Sequence, residues 1–401
     1  MKKQIQKGLA FSLLAAMAAG SALQVNAVEI GSGSTGNGES TETTVTFKKE
    51  LTLKDVDDSS NTPQTPGVTF NYTITDGQAG TETVVHDGIT EEITYKAGVG
   101  NPKIGTAEFT KDDVATSKNG KQIATENVSI DFSGVTFDSA GIYRYLVTET
   151  GYSPTDSYSY TQADIPNIDA NNNTRNLDVY VNKKSDGTYY ISGYVLTRKE
   201  NGTNTKGGGF TEDSTPIYDE NGSTTPSEGK TATASSVYYT HDISLSKAVE
   251  GDMINADKQF NFTVALPNQE NGSYELYKGE AKQNNTTGES LSLQLKKDEK
   301  YTIKGLPISS TLTITEDDYS SDGYADPTAT KDGVDETVTS RAVSNIGTNN
   351  KDNDPTDIVV TNHRTNTPPT GILWTIAPYA AMVGLAALLG VLFIKRRRND
   401  A

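Results

Sequence analysis

Thr44-Val45-Thr46-Phe47-Lys48-Lys49-Glu50-Leu51-Thr52-Leu53 sets Val45, Phe47, Lys49, Leu51 and Leu53 against Thr46, Lys48, Glu50 and Thr52. That is the two-residue period of a strand with one buried face. Working outward, short alternating segments bounded by Gly, Asn, Asp and Pro recur: Val68 to Ile74, Val128 to Phe132, Ile142 to Glu149, and Leu177 to Val181 joined through Lys184-Ser185-Asp186-Gly187 to Tyr189 to Leu196. A stretch rich in Ser, Thr, Gly, Pro and Glu, Thr211 to Ser236, interrupts them. A second set then follows: Ile243 to Val249, Phe260 to Leu266, Leu291 to Leu295, Leu312 to Glu316 and Ile358 to Asn362. No amphipathic helix breaks either set, so the fold class is all-β, two tandem antiparallel β-sandwiches.

The two sets repeat one another. Phe70-Asn71-Tyr72 answers to Phe260-Asn261-Phe262, and Val147-Thr148-Glu149-Thr150-Gly151-Tyr152 to Ile314-Thr315-Glu316-Asp317-Asp318-Tyr319. The strand carrying Lys49 answers to the one carrying Lys247.

The ends carry targeting signals. Lys2, Lys3 and Lys7 precede an apolar run from Leu9 to Leu23 and the small-residue site Val25-Asn26-Ala27, which reads as a signal peptide over 1-27, cut after Ala27. Residues 28-44 hold little that is apolar and read as a disordered leader. At the other end 372-394 is apolar throughout and 395-401 begins Lys395-Arg396-Arg397-Arg398, as expected of a transmembrane helix with a cytoplasmic basic tail. Between them lie a first domain at 45-215, a linker or insertion at 216-240, a second domain at 241-363 and a short segment at 364-371. The body is thus expected outside the cell, secreted from a membrane-inserted precursor.

The chain of 401 residues has 35 basic and 52 acidic side chains. The body from 28 to 370 keeps 28 and 51, a net charge of −23, which disfavours nucleic acid and anionic lipid as partners. There is no cysteine, so covalent reinforcement has to come from other chemistry. Three scattered histidines, His86, His241 and His363, assemble no zinc site or Cys-His nucleophile. Asp169, Asn171 and Asn173 begin like a calcium loop, but Thr174 replaces its glycine and Tyr180 its closing glutamate. No metal, cofactor or catalytic residue acting on an external substrate is expected, and the chain is not read as an enzyme.

Strand parity singles out three polar residues. Lys247 points with Ile243, Leu245 and Val249; Glu316 with Leu312 and Ile314; Asn362 with Ile358 and Val360. Burial drives the amine and the acid toward their neutral forms. A neutral Lys247 is a nucleophile, and a protonated Glu316 could polarise the Asn362 carboxamide and shuttle protons, leaving an isopeptide bond and ammonia.

These features together resemble the two-domain backbone pilins of sortase-assembled Gram-positive pili, of the streptococcal type. The resemblance is carried by Thr44-Val45-Thr46-Phe47-Lys48-Lys49, by Ile130-Asp131-Phe132-Ser133-Gly134-Val135-Thr136-Phe137, by Gly141-Ile142-Tyr143-Arg144-Tyr145-Leu146-Val147-Thr148-Glu149, by Leu245-Ser246-Lys247 and by Val360-Thr361-Asn362. It implies two Ig-like domains, each with a self-generated Lys-Asn bond assisted by Glu. The second domain matches fully, through Lys247, Asn362 and Glu316. In the first, Lys49 and Glu149 match, but the closing strand reads Phe210-Thr211-Glu212-Asp213, continuing at Val237-Tyr238-Tyr239-Thr240-His241-Asp242, with no asparagine. That bond is either absent or uses Asp213 or Asp242 as acceptor. Thr367-Pro368-Pro369-Thr370-Gly371 resembles the sortase sorting signal, with cleavage between Thr370 and Gly371. Lys206, beside Gly207-Gly208-Gly209, matches the lysine that accepts Thr370 of the next subunit, with Lys199 and Lys230 as competitors. The implied partners are a sortase, further copies of the pilin in a covalent homopolymer, peptidoglycan of the cell wall and a host surface ligand. A monomeric wall-anchored adhesin or a minor pilin is the alternative.

Overall fold

The structure, a computed structural model, describes residues 28–29, 41–55, 62–86, 89–118, 120–167, 173–200, 203–206, 209–210, 236–252, 254–266, 274–283, 290–347, 355–365, 379, 381–392 and 395. In the first domain one sheet runs β7 (Tyr189–Glu200), β6 (Thr174–Lys183), β5 (Gly141–Pro154), β2 (Val68–Asp76), β3 (Ala107–Phe109). Opposite it β4 (Lys121–Asp131) pairs antiparallel with β1 (Thr44–Asp55), and β1 also pairs in parallel with β9 (Gly209–Phe210) and the start of β10 (Ser236–Gly251). Every strand core foreseen from alternation is present; two end one residue early, at Asp131 and Ala265. The Lys184–Gly187 turn forms as read, with the Gly187 N–H donating to the Lys184 carbonyl and φ of +91° at Gly187, a conformation that favours glycine.

The second domain repeats the plan. Its first sheet runs β12 (Ser290–Leu295), β11 (Phe260–Ala265), β14 (Thr311–Glu316), β16 (Ala342–Gly347). Facing it, β13 (Lys300–Pro307) pairs antiparallel with β10, β10 pairs in parallel with β17 (Thr356–Arg364), and β17 pairs with β15 (Thr328–Lys331). Each sandwich encloses its own apolar cluster, one from Val45 to Tyr238 and the other from Ile243 to Val360.

Two boundaries differ from those read in the sequence. Residues 236–240, placed in the linker range although Val237–Asp242 also reads as a continuation of the first domain's closing strand, form that strand and pair with Leu51–Asp55. The leader contributes a two-residue strand, Val28–Glu29, on Tyr194 and Gly193 of β7. Lys206, expected at the end of the first domain, ends a strand, β8 (Thr203–Lys206), in register with Thr197.

Strand β10 belongs to both domains, and a buried carboxylate clamps the junction. Asp164 accepts from the Ser309 backbone N–H at 2.7 Å and the Ser309 hydroxyl at 2.5 Å, while its carbonyl accepts from the Tyr239 N–H at 2.8 Å. A carboxylate held by such donors satisfies the burial requirement of a charge.

Residues 381–392 are helical and exposed. Among the described residues no helix is long and apolar enough to cross a membrane.

Candidate functional site

In the second domain strand alternation turns Leu245, Lys247 and Val249 into the core, and parallel pairing sets Lys247 opposite Val360 and Val249 opposite Asn362. The Lys247 side chain lies diagonally against Asn362: Nζ donates to Oδ1 at 2.9 Å, and to the Val360 and Ala248 carbonyls at 3.0 Å each. Glu316 comes from the opposite sheet, where it faces Phe262, and its Oε1 lies 3.5 Å from Nζ. That is an ion-pair contact outside good hydrogen-bond range, and neither carboxyl oxygen has a hydrogen-bond partner of good geometry. Lys247, Glu316 and Asn362 are all buried, and Phe260 lies under the amine at 4.7 Å.

The electrostatics follow from that burial. Desolvation lowers the Lys247 pKa to about 8, against the opposing pull of Glu316. Desolvation raises Glu316 to about 6, opposed by Lys247 and Asn362. Both groups therefore sit within reach of their neutral forms near pH 7.

The first domain builds the corresponding site differently. Lys49 is fully buried; its Nζ donates to Glu149 Oε2 at 2.8 Å and to Ser236 Oγ at 2.8 Å, and lies 4.1 Å from the Phe70 ring centre. The Tyr72 hydroxyl donates to the same Glu149 oxygen at 3.3 Å. Burial lowers the Lys49 pKa, with Glu149 raising it and the cation of Arg175 lowering it further. Burial, with Glu149 behind it, holds the Tyr72 phenol well above its ordinary value.

Of the two acceptors proposed from the sequence, Asp242 does not stand beside Lys49, whose amine is held by Glu149 and Ser236. Asp242 accepts from the Gly305 N–H at 2.9 Å and lies 3.8 Å from Lys304 Nζ. It is six residues beyond Ser236 on an extended strand, about 20 Å along it. Asp213 lies outside the described residues, as do Ala27, Lys230, Thr367, Pro368, Pro369, Thr370 and Gly371. Lys199 falls opposite Asn204 in the β7–β8 ladder.

Sequence reading missed Ser236, Tyr72 and Arg175. The signal for Ser236 was the β-prone run Val237-Tyr238-Tyr239, which marks a strand whose inward parity includes position 236. Arg175 carried no signal, since an arginine 1% exposed in a β-core runs against composition.

Two tandem β-sandwiches, the second enclosing an amine, an acid and a carboxamide between its first and last strands, define the class of molecule. Comparison with known proteins places it further. The second domain, residues 241–364, matches a family described as a domain of unknown function (DUF7601). The chain is 25% identical over 378 residues to a protein named Pilin from Streptococcus pyogenes serotype M1, covering 89% of this chain and 93% of that one. Among solved structures, two major pilins of Streptococcus pyogenes align at TM-scores of 0.47, with 20% and 17% identity over 81% and 80% of this chain and 100% and 98% of theirs. The chain resembles a streptococcal-type backbone pilin over most of its length.

Proposed function

We propose that this protein is a structural subunit of a covalently polymerised surface pilus, locked in its second domain by a bond between Lys247 and Asn362. The observation that carries the reading is the buried approach of Lys247 Nζ to the Asn362 carboxamide, with Glu316 alongside. In the reaction the neutral amine attacks Cγ of Asn362. Glu316 takes a proton from Nζ and delivers one to Nδ2, the Cγ–Nδ2 bond breaks, and ammonia leaves. The acid ends the cycle as it began. The sites that bring the groups together also exclude water, which protects the amine as nucleophile.

The bond would tie neighbouring parallel strands. The chain enters the second domain along β10 and leaves it along β17, so tension between its ends shears this pair, and a covalent link across it carries the load. The polypeptide between Lys247 and Asn362, 115 residues on, would be shielded from that load.

Polymerisation by a sortase at Thr370, with Lys206 as acceptor and peptidoglycan as the final attachment, rests on the sorting sequence and on the pilin relative. The exposed apolar side chains of Tyr379, Met382, Val383, Leu385, Leu388, Leu389, Val391 and Leu392 support a membrane-held precursor, because nothing in the described protein covers them.

Intact-mass measurement of the 28–370 chain tests the bond. A mass about 17 Da below that of the sequence is expected, restored in full by Lys247→Ala; an unmodified wild type would refute it. Thr370→Ala should remove both the ladder of covalent multimers and wall attachment on denaturing gels, and Lys206→Ala should remove the ladder alone.

A further inference from the structure

The two centres can be superposed by register. Lys49 faces Phe210 as Lys247 faces Val360, and Leu51 faces Ser236 as Val249 faces Asn362. Ser236 therefore occupies the acceptor position of the first domain, even though residues 211–235 intervene between it and Phe210. It is buried, and its hydroxyl is within hydrogen-bond distance of the amine that an acceptor would have to meet. A serine hydroxyl carries no acyl carbon, so Lys49 has nothing there to attack.

The same superposition separates the acids. Glu149 faces Tyr72 where Glu316 faces Phe262. Val147 faces Arg175 where Ile314 faces Val343. A phenol donor thus attends the first-domain acid and a second buried cation lies opposite the residue two before it, whereas apolar side chains hold the equivalent positions in the second domain. In the first centre the acid accepts hydrogen bonds from Lys49 and Tyr72; in the second neither oxygen of the acid has a hydrogen bond of good geometry.

We infer that Ser236 is the specificity-determining residue that leaves the Lys49–Glu149 centre unreacted, so that the first domain is closed by a buried ion pair and the second by a covalent bond. The inference rests on the cross-linking chemistry proposed for Lys247. Asparagine at position 236 would supply what is missing: its Cγ, like the serine Oγ, is one bond from Cβ. In the same rotamer it would lie within roughly 3 Å of Nζ, the separation of a near-attack pair. Nζ would then bond to Cγ, the Cγ–Nδ2 bond would break, and Glu149 would carry the proton to the departing ammonia.

The test is a tryptic digest of the denatured 28–370 chain with mass analysis of the peptides around Lys49 and Lys247 in one sample. Trypsin cleaves after a free lysine and not after one acylated at Nζ. Expected for the wild type are cleavage after Lys49 and a branched peptide joining Lys247 to Asn362. For Ser236→Asn, or for Ser236→Asn combined with Tyr72→Phe to make room beside Glu149, a second branched peptide at Lys49 and a further loss of about 17 Da are expected. A wild-type branch at Lys49, whether with 17 Da lost or with the 18 Da of an Asp213 acceptor, overturns the inference. So do variants whose first domain keeps its own cooperative unfolding transition and in which Lys49 stays cleavable. A linear peptide at Lys247 in the wild type would instead sink the underlying chemistry, and is read separately.

Discussion

Both domains hold a lysine on their first strand and a glutamate on a central strand at matching register, and differ in what surrounds them. In the first, Glu149 receives Lys49 and Tyr72 as donors, and Ser236 completes the amine's shell. In the second, Glu316 has an ion-pair contact at 3.5 Å and no hydrogen bond of good geometry, and the amine meets a carboxamide. One arrangement gives the acid hydrogen-bond donors and leaves the amine without an acyl carbon; the other sets the amine against an amide. Burial lowers the lysine pKa in both centres, so what separates a buried ion pair from a cross-linking centre is the acid's hydrogen bonding and the group that the amine meets.

The comparison breaks most visibly if Glu149 and Glu316 are removed in turn. Glu149→Ala should leave Lys49 buried beside Arg175 without its counter-charge and destabilise the first domain by roughly 3 kcal/mol, with no change in the mass deficit. Glu316→Ala should abolish the 17 Da loss, since its proton transfers are gone, and the second domain should unfold at lower denaturant. Differential denaturation of the two domains with intact-mass analysis separates these outcomes. Equal effects on mass would mean that the centres work alike.

Lys247→Ala sharpens the mechanical side. Closing a loop of 115 residues is worth roughly 3–5 kcal/mol by analogy with a long disulfide loop, so loss of the bond should cost the second domain about that much. Pulled between its ends, the wild-type second domain should not lengthen by the chain enclosed between Lys247 and Asn362, which lie 115 positions apart, and the variant should. The first domain's response should be the same in both.

The strand pattern, the internal repeat and the inward parity of Lys247, Glu316 and Asn362 were legible because alternation is a local property and burial enforces it over successive residues. The register of the first domain's closing strand was not. It advances from Lys49 to Leu51 while the sequence runs from Phe210 to Ser236, and no local pattern reports that two such distant segments line up on one neighbour. The same limit hid Tyr72, which faces Glu149 on the neighbouring strand, and Arg175, whose charge acts on Lys49. Asp242 misled because strand parity cannot tell which domain a shared strand is serving at a given residue.

A subtler exchange between the centres is Phe262→Tyr, which gives Glu316 the phenol that Glu149 has. A hydrogen bond to the carboxylate favours its charged form and should draw the Glu316 pKa down from about 6. Less of the acid would be protonated near pH 7, so cross-linking should slow several-fold. Freshly synthesised protein followed by mass should show a mixture of reacted and unreacted chains where the wild type is complete.

The smallest effect expected is on pH dependence, and it distinguishes a free lysine from an acylated one. Burial places the folded pKa of Lys49 below its ordinary 10.5. Between those two values the unfolded chain binds more protons than the folded one, so first-domain stability rises with pH across that window, and the full penalty is felt below it. Tyr72 acts oppositely but later: its pKa is raised well above 10, so the stability it costs is felt only as the unfolded phenol ionises near pH 10. Unfolding midpoints taken from pH 7 to 9.5 should therefore climb for the first domain and flatten in Lys49→Met, which keeps the side-chain length and removes the titration. Lys247, once an amide, has no proton to release, and the second domain should show no lysine-linked rise. A rise there that Lys247→Met abolishes would mean an unreacted amine in the second domain, and the contrast between the two centres would be lost.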